Sequence, residues 1–308
     1  MKKVLIVGFG NHAKRRILPA LQSIEEIGEI AITSKSKLNN SKYDDMYLSK
    51  SDILSSKKLF NTTIISSYPN VHIENLKQFR NHSESFLIEK PITNDLSYLE
   101  SQEYFKYHQN NKARESLMYF HHPIYEAFKK ILSNNEVVNI SASFKVPPVD
   151  PNNFRYSKVL GGSSILDQGI YPISLILENF KIRENSIKNN IIFQKDIDID
   201  LGGSLTCMSE NAVQIDLSWG IGYEYSNFVE LKSKNTVFTF PMFFSKPENF
   251  ESFYNVSSDG ENEDVPVGNF NQFQIMYEDI ILKQKEFAYN SYDNLCKRYG
   301  FIRKLLND

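Results

Sequence analysis

Lys90 ends an apolar run, Phe86-Leu87-Ile88-Glu89, and stands directly before Pro91. An ammonium group there lies at the carboxyl end of a strand, where open α/β sheets bind their ligands. It can donate a proton or stabilise an oxyanion. A second cluster with chemistry in it is Gly161-Gly162-Ser163-Ser164-Ile165-Leu166-Asp167-Gln168-Gly169-Ile170-Tyr171. Asp167 and Tyr171 are four residues apart, so on a helix they share a face. A carboxylate and a phenol so placed can bind hydroxyls and relay a proton; the same pair also reads as a helix cap and a core ring. A third, Gly8-Phe9-Gly10-Asn11-His12-Ala13, is a G-x-G-x-x-A turn following the apolar strand Val4–Val7. Gly8 permits the tight turn, Gly10 lets a pyrophosphate approach the backbone, and Ala13 is small enough for helix–strand packing. Without a ligand it would be a tight turn and nothing more.

The elements that must hold these residues follow from hydrophobic periodicity. Ala13, Ile17, Leu21 and Ile24 recur at helical spacing, with Pro19 predicting a kink or restart near Leu18. A second strand, 29–32, ends in Thr33-Ser34-Lys35, where an NAD site usually carries Asp or Glu. Hydroxyls and a cation suit a 2′-phosphate instead, which favours NADP, against the plainer reading of a solvated loop. A third strand, 61–67, leads to Ser66, Ser67 and Asn70, which can hydrogen-bond a cofactor ribose, and to His72, read as a supporting residue rather than a catalyst. The 86–89 strand, a helix carrying Leu96, Leu99 and Phe105, and a strand over 116–120 complete the pattern. Strands alternating with helices predict a doubly wound parallel sheet over residues 1–120.

Beyond residue 120 the pattern changes. A helix over 124–132 precedes alternating strands at 137–146, 191–195, 204–209, 212–219, 227–232 and 237–240, several joined by short polar turns. These predict an antiparallel sheet in an α+β domain over residues 121–308. The tail from 273 to 306 returns to helical spacing.

Bulk composition sets bounds on function. With 41% apolar and 13% aromatic residues the chain builds globular cores, and 308 residues suit two domains. A net charge of −2 gives no basic excess for nucleic acid or anionic lipid. Cys207 and Cys296 are far apart, without metal spacing, as expected in a reducing compartment, and no apolar stretch is long enough to span a membrane. A soluble cytoplasmic protein is the expectation. Adjacent His121 and His122 point apart on a strand and lack further ligands, so no metal is expected.

Together the glycine turn, Glu89-Lys90-Pro91 and Gly161-Gly162…Asp167-x-Gly169-x-Tyr171 resemble the Gfo/Idh/MocA family, the relatives of glucose–fructose oxidoreductase and inositol dehydrogenase. The resemblance covers nearly the whole chain. It implies a Rossmann domain plus an open antiparallel sheet used for oligomerisation, here as a homodimer or homotetramer. Tyr171 and Ser174 stand where many inositol-dehydrogenase-like members carry His with an acidic or second His residue, and Ser163 replaces the third glycine of the usual triplet. Tyr119-Phe120-His121-His122-Pro123, Ser143-Phe144-Lys145-Val146-Pro147-Pro148 and Phe154-Arg155-Tyr156 look like the nucleotide-diphosphohexose 3-ketoreductases of deoxysugar pathways.

That resemblance implies NADP(H)-dependent reduction of the keto group of a nucleotide-linked deoxysugar. Lys90 and Tyr171 would be catalytic. Gly8, Phe9, Gly10, Asn11, His12, Ser34, Lys35, Ser66, Ser67, Asn70, His72, Glu89, Lys90 and Arg155 would bind cofactor, and Lys90, Asp167, Tyr171, His121 and Arg155 would bind substrate. Glu89 would hold the nicotinamide ribose or position Lys90, across a Lys90–Pro91 bond expected to be cis. Two other readings stay open: a free-sugar or dihydrodiol dehydrogenase of the same family, and a non-catalytic regulatory paralogue that binds NADP and a sugar.

Overall fold

The computed structural model describes residues 1–35 and 41–307. Its first sheet contains β1 (Lys2–Val7), β2 (Ile27–Thr33), β3 (Thr62–Ile65), β4 (Phe86–Glu89) and β5 (Ala113–Ser116), all parallel in the order β2-β1-β3-β4-β5. Val4, Leu5, Ile6 and Val7 are all buried, as a strand must be when helices cover both faces of its sheet. The strand order turns back between β1 and β3, and a crevice opens at their carboxyl ends.

The connections carry α1 (Leu18–Gln22), α2 (Lys50–Ser55), α3 (His72–Phe79) and α4 (Gln102–Asn111). A π-helical turn, Ala13–Ile17, passes into α1 at Leu18, with Pro19 in the first turn where its missing N–H costs nothing. Ser49 and Ser101 cap α2 and α4, their hydroxyls accepting from the amides of Asp52 and Tyr104. The strand expected at 116–120 is shorter and earlier. β5 ends at Ser116, and Met118–His121 forms a 3-10 turn. His121 and His122 therefore do not alternate on a strand: His122 caps α5 (Pro123–Asn134), its Nδ1 accepting from the Ile124 amide at 3.0 Å.

The second sheet comprises β6 (Asn139–Val146), β7 (Lys188–Gln194), β8 (Ile199–Met208), β9 (Gln214–Ile221), β10 (Ser226–Lys232), β11 (Thr236–Pro241), β12 (Glu251–Ser258) and β13 (Glu261–Asn269). They run in the order β13-β12-β11-β10-β6-β9-β8-β7. Its pairings are antiparallel except β6 with β9, which is parallel from Asn139↔Gln214 to Val146↔Ile221. β12 and β13 escape a periodicity reading because β12 is half-buried along most of its length and β13 is mostly polar and exposed, so neither alternates between a buried and an exposed face. Their signature was the turn: Asp259 and Gly260 both take positive φ, the requirement of a tight hairpin. Across one face lie a π-helical turn, Ile165–Gly169, and α6 (Ile170–Asn179), close enough that a Cβ on Gly169 would come 3.0 Å from the Trp219 ring.

Each sheet centres one compact unit. The first contains 1–117, 159–161 and 273–299; the second contains 118–158, 162–272 and 300–308. The helical tail thus divides, with α7 (Gln272–Tyr277) and α8 (Tyr292–Asn307) carrying residues 273–299 to the parallel-sheet unit.

Candidate active site

In the first unit the glycine turn occupies the crevice. Gly8 has φ +91°, and a Cβ there would stand 2.7 Å from the Ser66 carbonyl oxygen, so only glycine allows β1 and the end of β3 to approach this closely. The Gly8 amide donates to the Thr33 carbonyl at 2.8 Å, tying the turn to the end of β2 beside half-buried Ser34 and exposed Lys35. Gly10, Asn11 and His12 are exposed where the helix starts, and nothing lies within 4 Å of the Cβ direction of Gly10. Phe9 is buried, with Tyr43 edge-on to its ring at 5.0 Å and the Lys14 ammonium 5.7 Å from its centroid. Tyr43 had no signal in sequence; it reaches Phe9 from a separate 3-10 segment.

Ser66 and Ser67 are half-buried at the end of β3, and Asn70 is exposed. The Ser67 hydroxyl accepts from Asn75 Nδ2 at 3.0 Å. His72 is buried. Its Nδ1 lies 2.8 Å from the Pro91 carbonyl oxygen and its Nε2 3.0 Å from that of Ser67, so both nitrogens face the backbone. Burial lowers its pKa more than these carbonyls and Glu89 raise it.

Lys90 follows β4 half-buried, and the Lys90–Pro91 peptide is cis. Glu89 beside it accepts from Ser116 Oγ at 2.9 Å, and its Oε1 is 3.5 Å from His12 Nε2. Burial would push the Glu89 carboxyl up, but His12, Ser116 and Lys90 outweigh it and hold the pKa below its ordinary value. One carboxylate therefore connects the glycine turn to the lysine.

In the second unit Tyr171 lies at the start of α6 in an aromatic cluster. Phe144 meets its ring edge-on at 5.1 Å, and Phe244 and Tyr119 lie at 5.9 and 6.0 Å. Its hydroxyl donates toward Met118 Sδ at 3.7 Å. Ser174, noted as the departure from His, has a structural partner: it donates to the Tyr171 carbonyl at 2.8 Å and lies 2.9 Å from Tyr119 OH. Asp167 is buried, one oxygen receiving both Arg155 Nε and Gln168 Nε2. That carboxylate raises the Arg155 pKa despite burial, so the guanidinium is firmly charged. His121 is buried in the 3-10 turn.

Asp200 was missed: its buried carboxylate accepts from Ser164 Oγ at 2.6 Å and the Ile165 amide at 2.7 Å, fixing the turn that presents Asp167. Burial raises its pKa. Lys246 was missed too. It is 3% exposed, and its Nζ donates to the Phe243 carbonyl at 2.6 Å. Burial brings its pKa down to about 7. Burial and the nearby Lys246 also lower the pKa of His122, to about 3. Among the described residues no group of three His, Cys, Asp or Glu is placed to hold a metal, and no helix is long and apolar enough to cross a membrane.

No protein-family model matches the chain. It is similar to a dTDP-3,4-didehydro-2,6-dideoxy-α-D-glucose 3-reductase from Saccharopolyspora spinosa, 22% identical over 266 residues, which span 84% of this chain and 80% of the relative. Among solved structures, a 3-ketoreductase from Actinomadura kijaniata in complex with NADP and TDP-benzene matches with a TM-score of 0.86 at 19% identity, covering 99% of this chain and 97% of the other. Variants of that enzyme with a tyrosine replaced by phenylalanine or a lysine by alanine match as well, also with NADP and TDP-benzene. An aldose-aldose oxidoreductase from Caulobacter crescentus, complexed with glycerol, matches at 0.83 with 15% identity over 100% and 97% of the two chains. At these identities the structural likeness establishes the fold.

Proposed function

We propose that this chain, whose fold is that of the Gfo/Idh-type oxidoreductases, is an NADP-dependent ketoreductase that reduces the keto group of a nucleotide-linked keto-deoxysugar. The observation that carries the reading lies in the first unit. Glu89, next to Lys90 at the carboxyl end of β4, is tied through His12 to the glycine turn, which couples a dinucleotide-type turn to a proton donor. The names of the similar reductase and ketoreductase support the substrate class.

The glycine turn fits a dinucleotide. The space beside Gly10 is open, the helix begins at exposed Asn11 and His12, and Ser66, Ser67 and Asn70 line the neighbouring strand end. Ser34 and Lys35 after β2, with Lys14 beside Phe9, supply hydroxyl and positive charge for a 2′-phosphate. NADPH, when bound, supplies the hydride. Lys90 and Tyr171 are the groups we assign to the developing alkoxide, one giving the proton and the other a hydrogen bond. The lysine and tyrosine singled out for substitution in the Actinomadura enzyme support this pair. Arg155 and Asp167 form one charged unit, the guanidinium suited to a substrate phosphate and the carboxylate to a sugar hydroxyl. His121 is assigned to the same substrate surface.

We further propose a cytoplasmic homodimer or homotetramer. Both thiols are free, and Ile192 and Phe193 stand about half exposed on edge strand β7, a surface that a second copy would cover. Light scattering that gives a single-chain mass would refute the assembly.

The test of function is loss of nicotinamide absorbance with NADPH and dTDP-3,4-didehydro-2,6-dideoxy-α-D-glucose, compared with free aldoses. Turnover of the nucleotide sugar with NADPH preferred over NADH is expected. Turnover of free aldoses alone would move the assignment toward the aldose oxidoreductases, and no hydride transfer to either class would refute it.

A further inference from the structure

We propose that the peptide group between Pro91 and Ile92 is gripped at both ends to aim Lys90, and that His72, Glu115, Arg298 and Tyr299 are positioning residues for the lysine. This rests on the assignment of Lys90 to the reaction. At one end the Pro91 carbonyl faces His72 Nδ1 at 2.8 Å. At the other, the Ile92 amide donates to Tyr299 OH at 2.6 Å and to Glu115 Oε1 at 3.2 Å. Tyr299 passes its own proton toward Glu115 Oε1 at 2.5 Å, and Arg298 Nη2 donates to Glu115 Oε2 at 2.6 Å. All four side chains are 3% exposed or less.

The arrangement is more specific than satisfying one amide requires. A buried N–H needs one acceptor, which a water or a carbonyl would provide. Here a carboxylate from β5 and a phenol from α8 both accept from it, and a guanidinium from α8 holds the carboxylate's other oxygen. A buried ion pair is a weak source of stability compared with apolar packing, but a buried hydrogen-bonded network narrows the geometries its members can adopt. Burial and the Glu115 carboxylate hold the Tyr299 pKa well above its ordinary value, so the phenol keeps the proton it donates. Glu115 is itself anchored: its amide donates to Asn290 Oδ1 at 2.8 Å, and its carbonyl accepts from Asn290 Nδ2 at 3.0 Å.

Strand alternation extends the grip. Glu115 and Ser116 are consecutive in β5 and point to opposite faces, one reaching Ile92 and the other Glu89. The residues flanking Lys90–Pro91 are thus held from both sides of one strand. On the His72 side, a neutral imidazole has a single N–H for two carbonyls, Pro91 and Ser67, and it is the tautomer with the proton on Nδ1 that donates to Pro91 and holds the lysine segment.

The test is a cycle of Tyr299→Phe, Lys90→Met and the double variant, read as single-turnover NADPH oxidation with dTDP-3,4-didehydro-2,6-dideoxy-α-D-glucose. The Kd for NADPH is followed by fluorescence. Tyr299→Phe is expected to slow turnover ~10–100-fold, as displacing a reacting group by about 1 Å does, with the NADPH Kd changed less than about 2-fold. In the Lys90→Met background the same change is expected to have no further effect, because the residue acts through the lysine. An equal loss in both backgrounds, or wild-type turnover in Tyr299→Phe, overturns the proposal. If Lys90→Met itself keeps wild-type turnover, it is the underlying assignment that fails.

A substrate-free arm separates the two. The rate at which acetic anhydride acylates Lys90, read by peptide mass spectrometry against exposed Lys232, is expected to change several-fold in Tyr299→Phe and in His72→Gln. Should Tyr299→Phe not fold, His72→Gln and Glu115→Gln carry the same readings. Unchanged Lys90 acylation in the variants that fold overturns the grip.

Discussion

Around Lys90 the first unit is polar: a carboxylate on the neighbouring residue, an imidazole on the next carbonyl, and a buried Glu115–Arg298 pair behind the next amide. Around Tyr171 the second unit is aromatic, with Phe144, Phe244 and Tyr119 about the ring and a methionine sulfur as the weak neighbour of its hydroxyl. The difference follows from what each side chain needs. A lysine has a flexible four-carbon stem, so its backbone must be fixed for the ammonium to have a defined origin. A tyrosine is rigid beyond two torsions, and packing its ring fixes its oxygen. Hydrogen bonds therefore fix the backbone beside Lys90, and ring packing surrounds Tyr171.

The largest expected effect tests the polar side. Lys90→Met should lower kcat by ~10³–10⁴-fold while NADPH still binds, since it removes a proton donor and leaves the glycine turn intact. Steady-state kinetics with a fluorescence Kd checks this, and comparable losses in both quantities would mean that the lysine is a cofactor ligand only. Tyr171→Phe should cost about 10²-fold in kcat with Tm unchanged within about 2 °C, because the ring stays packed against Phe144, Phe244 and Tyr119. A large drop in Tm would show that the ring is held by its oxygen and break the contrast.

Gly8→Ala should weaken NADPH binding by roughly tenfold and destabilise the first unit by ~1–3 kcal/mol. The new Cβ meets Ser66 backbone, and φ +91° strains any L residue. Isothermal titration and denaturant unfolding would measure the two effects, and an unaffected Kd would remove the turn from the cofactor site.

The smallest effect concerns a charge buried on the aromatic side. Lys246 binds its proton up to about pH 10.5 when unfolded and only below about pH 7 when folded. The unfolded chain holds more protons between these values, so stability rises with pH across that window and the full penalty stands below it. Lys246→Met should raise Tm by several degrees at pH 6–7 and flatten its pH dependence up to pH 10. A variant less stable than wild type at pH 6 would show that the donation to Phe243 outweighs the buried charge.

Much of this was legible locally. The glycine turn, the lysine after an apolar strand and the paired Asp167 and Tyr171 each lie within about a dozen residues, where turn chemistry and periodicity act. What supports them was not. Glu115 meets Arg298 and Tyr299 across 183 and 184 residues, and no pattern in either stretch announces the pairing. Asp200 reaches Ser164 across 36 residues in the same way. The parallel match of β6 with β9 was hidden because alternation reports that a strand exists and says nothing of its neighbour's direction. His72 was read as a supporting residue in outline, but its two carbonyl partners follow from the cis turn and the end of β3, which only coordinates bring together.

The return of residues 273–299 to the parallel-sheet unit bears on biosynthesis. The nascent chain exposes Glu115 to the ribosome's surroundings long before Arg298 and Tyr299 emerge, so the half made first is the half finished late. Until then that carboxylate belongs to an unfinished interior, and translation that halted short of residue 298 would release a parallel-sheet unit with an uncompensated anion in it.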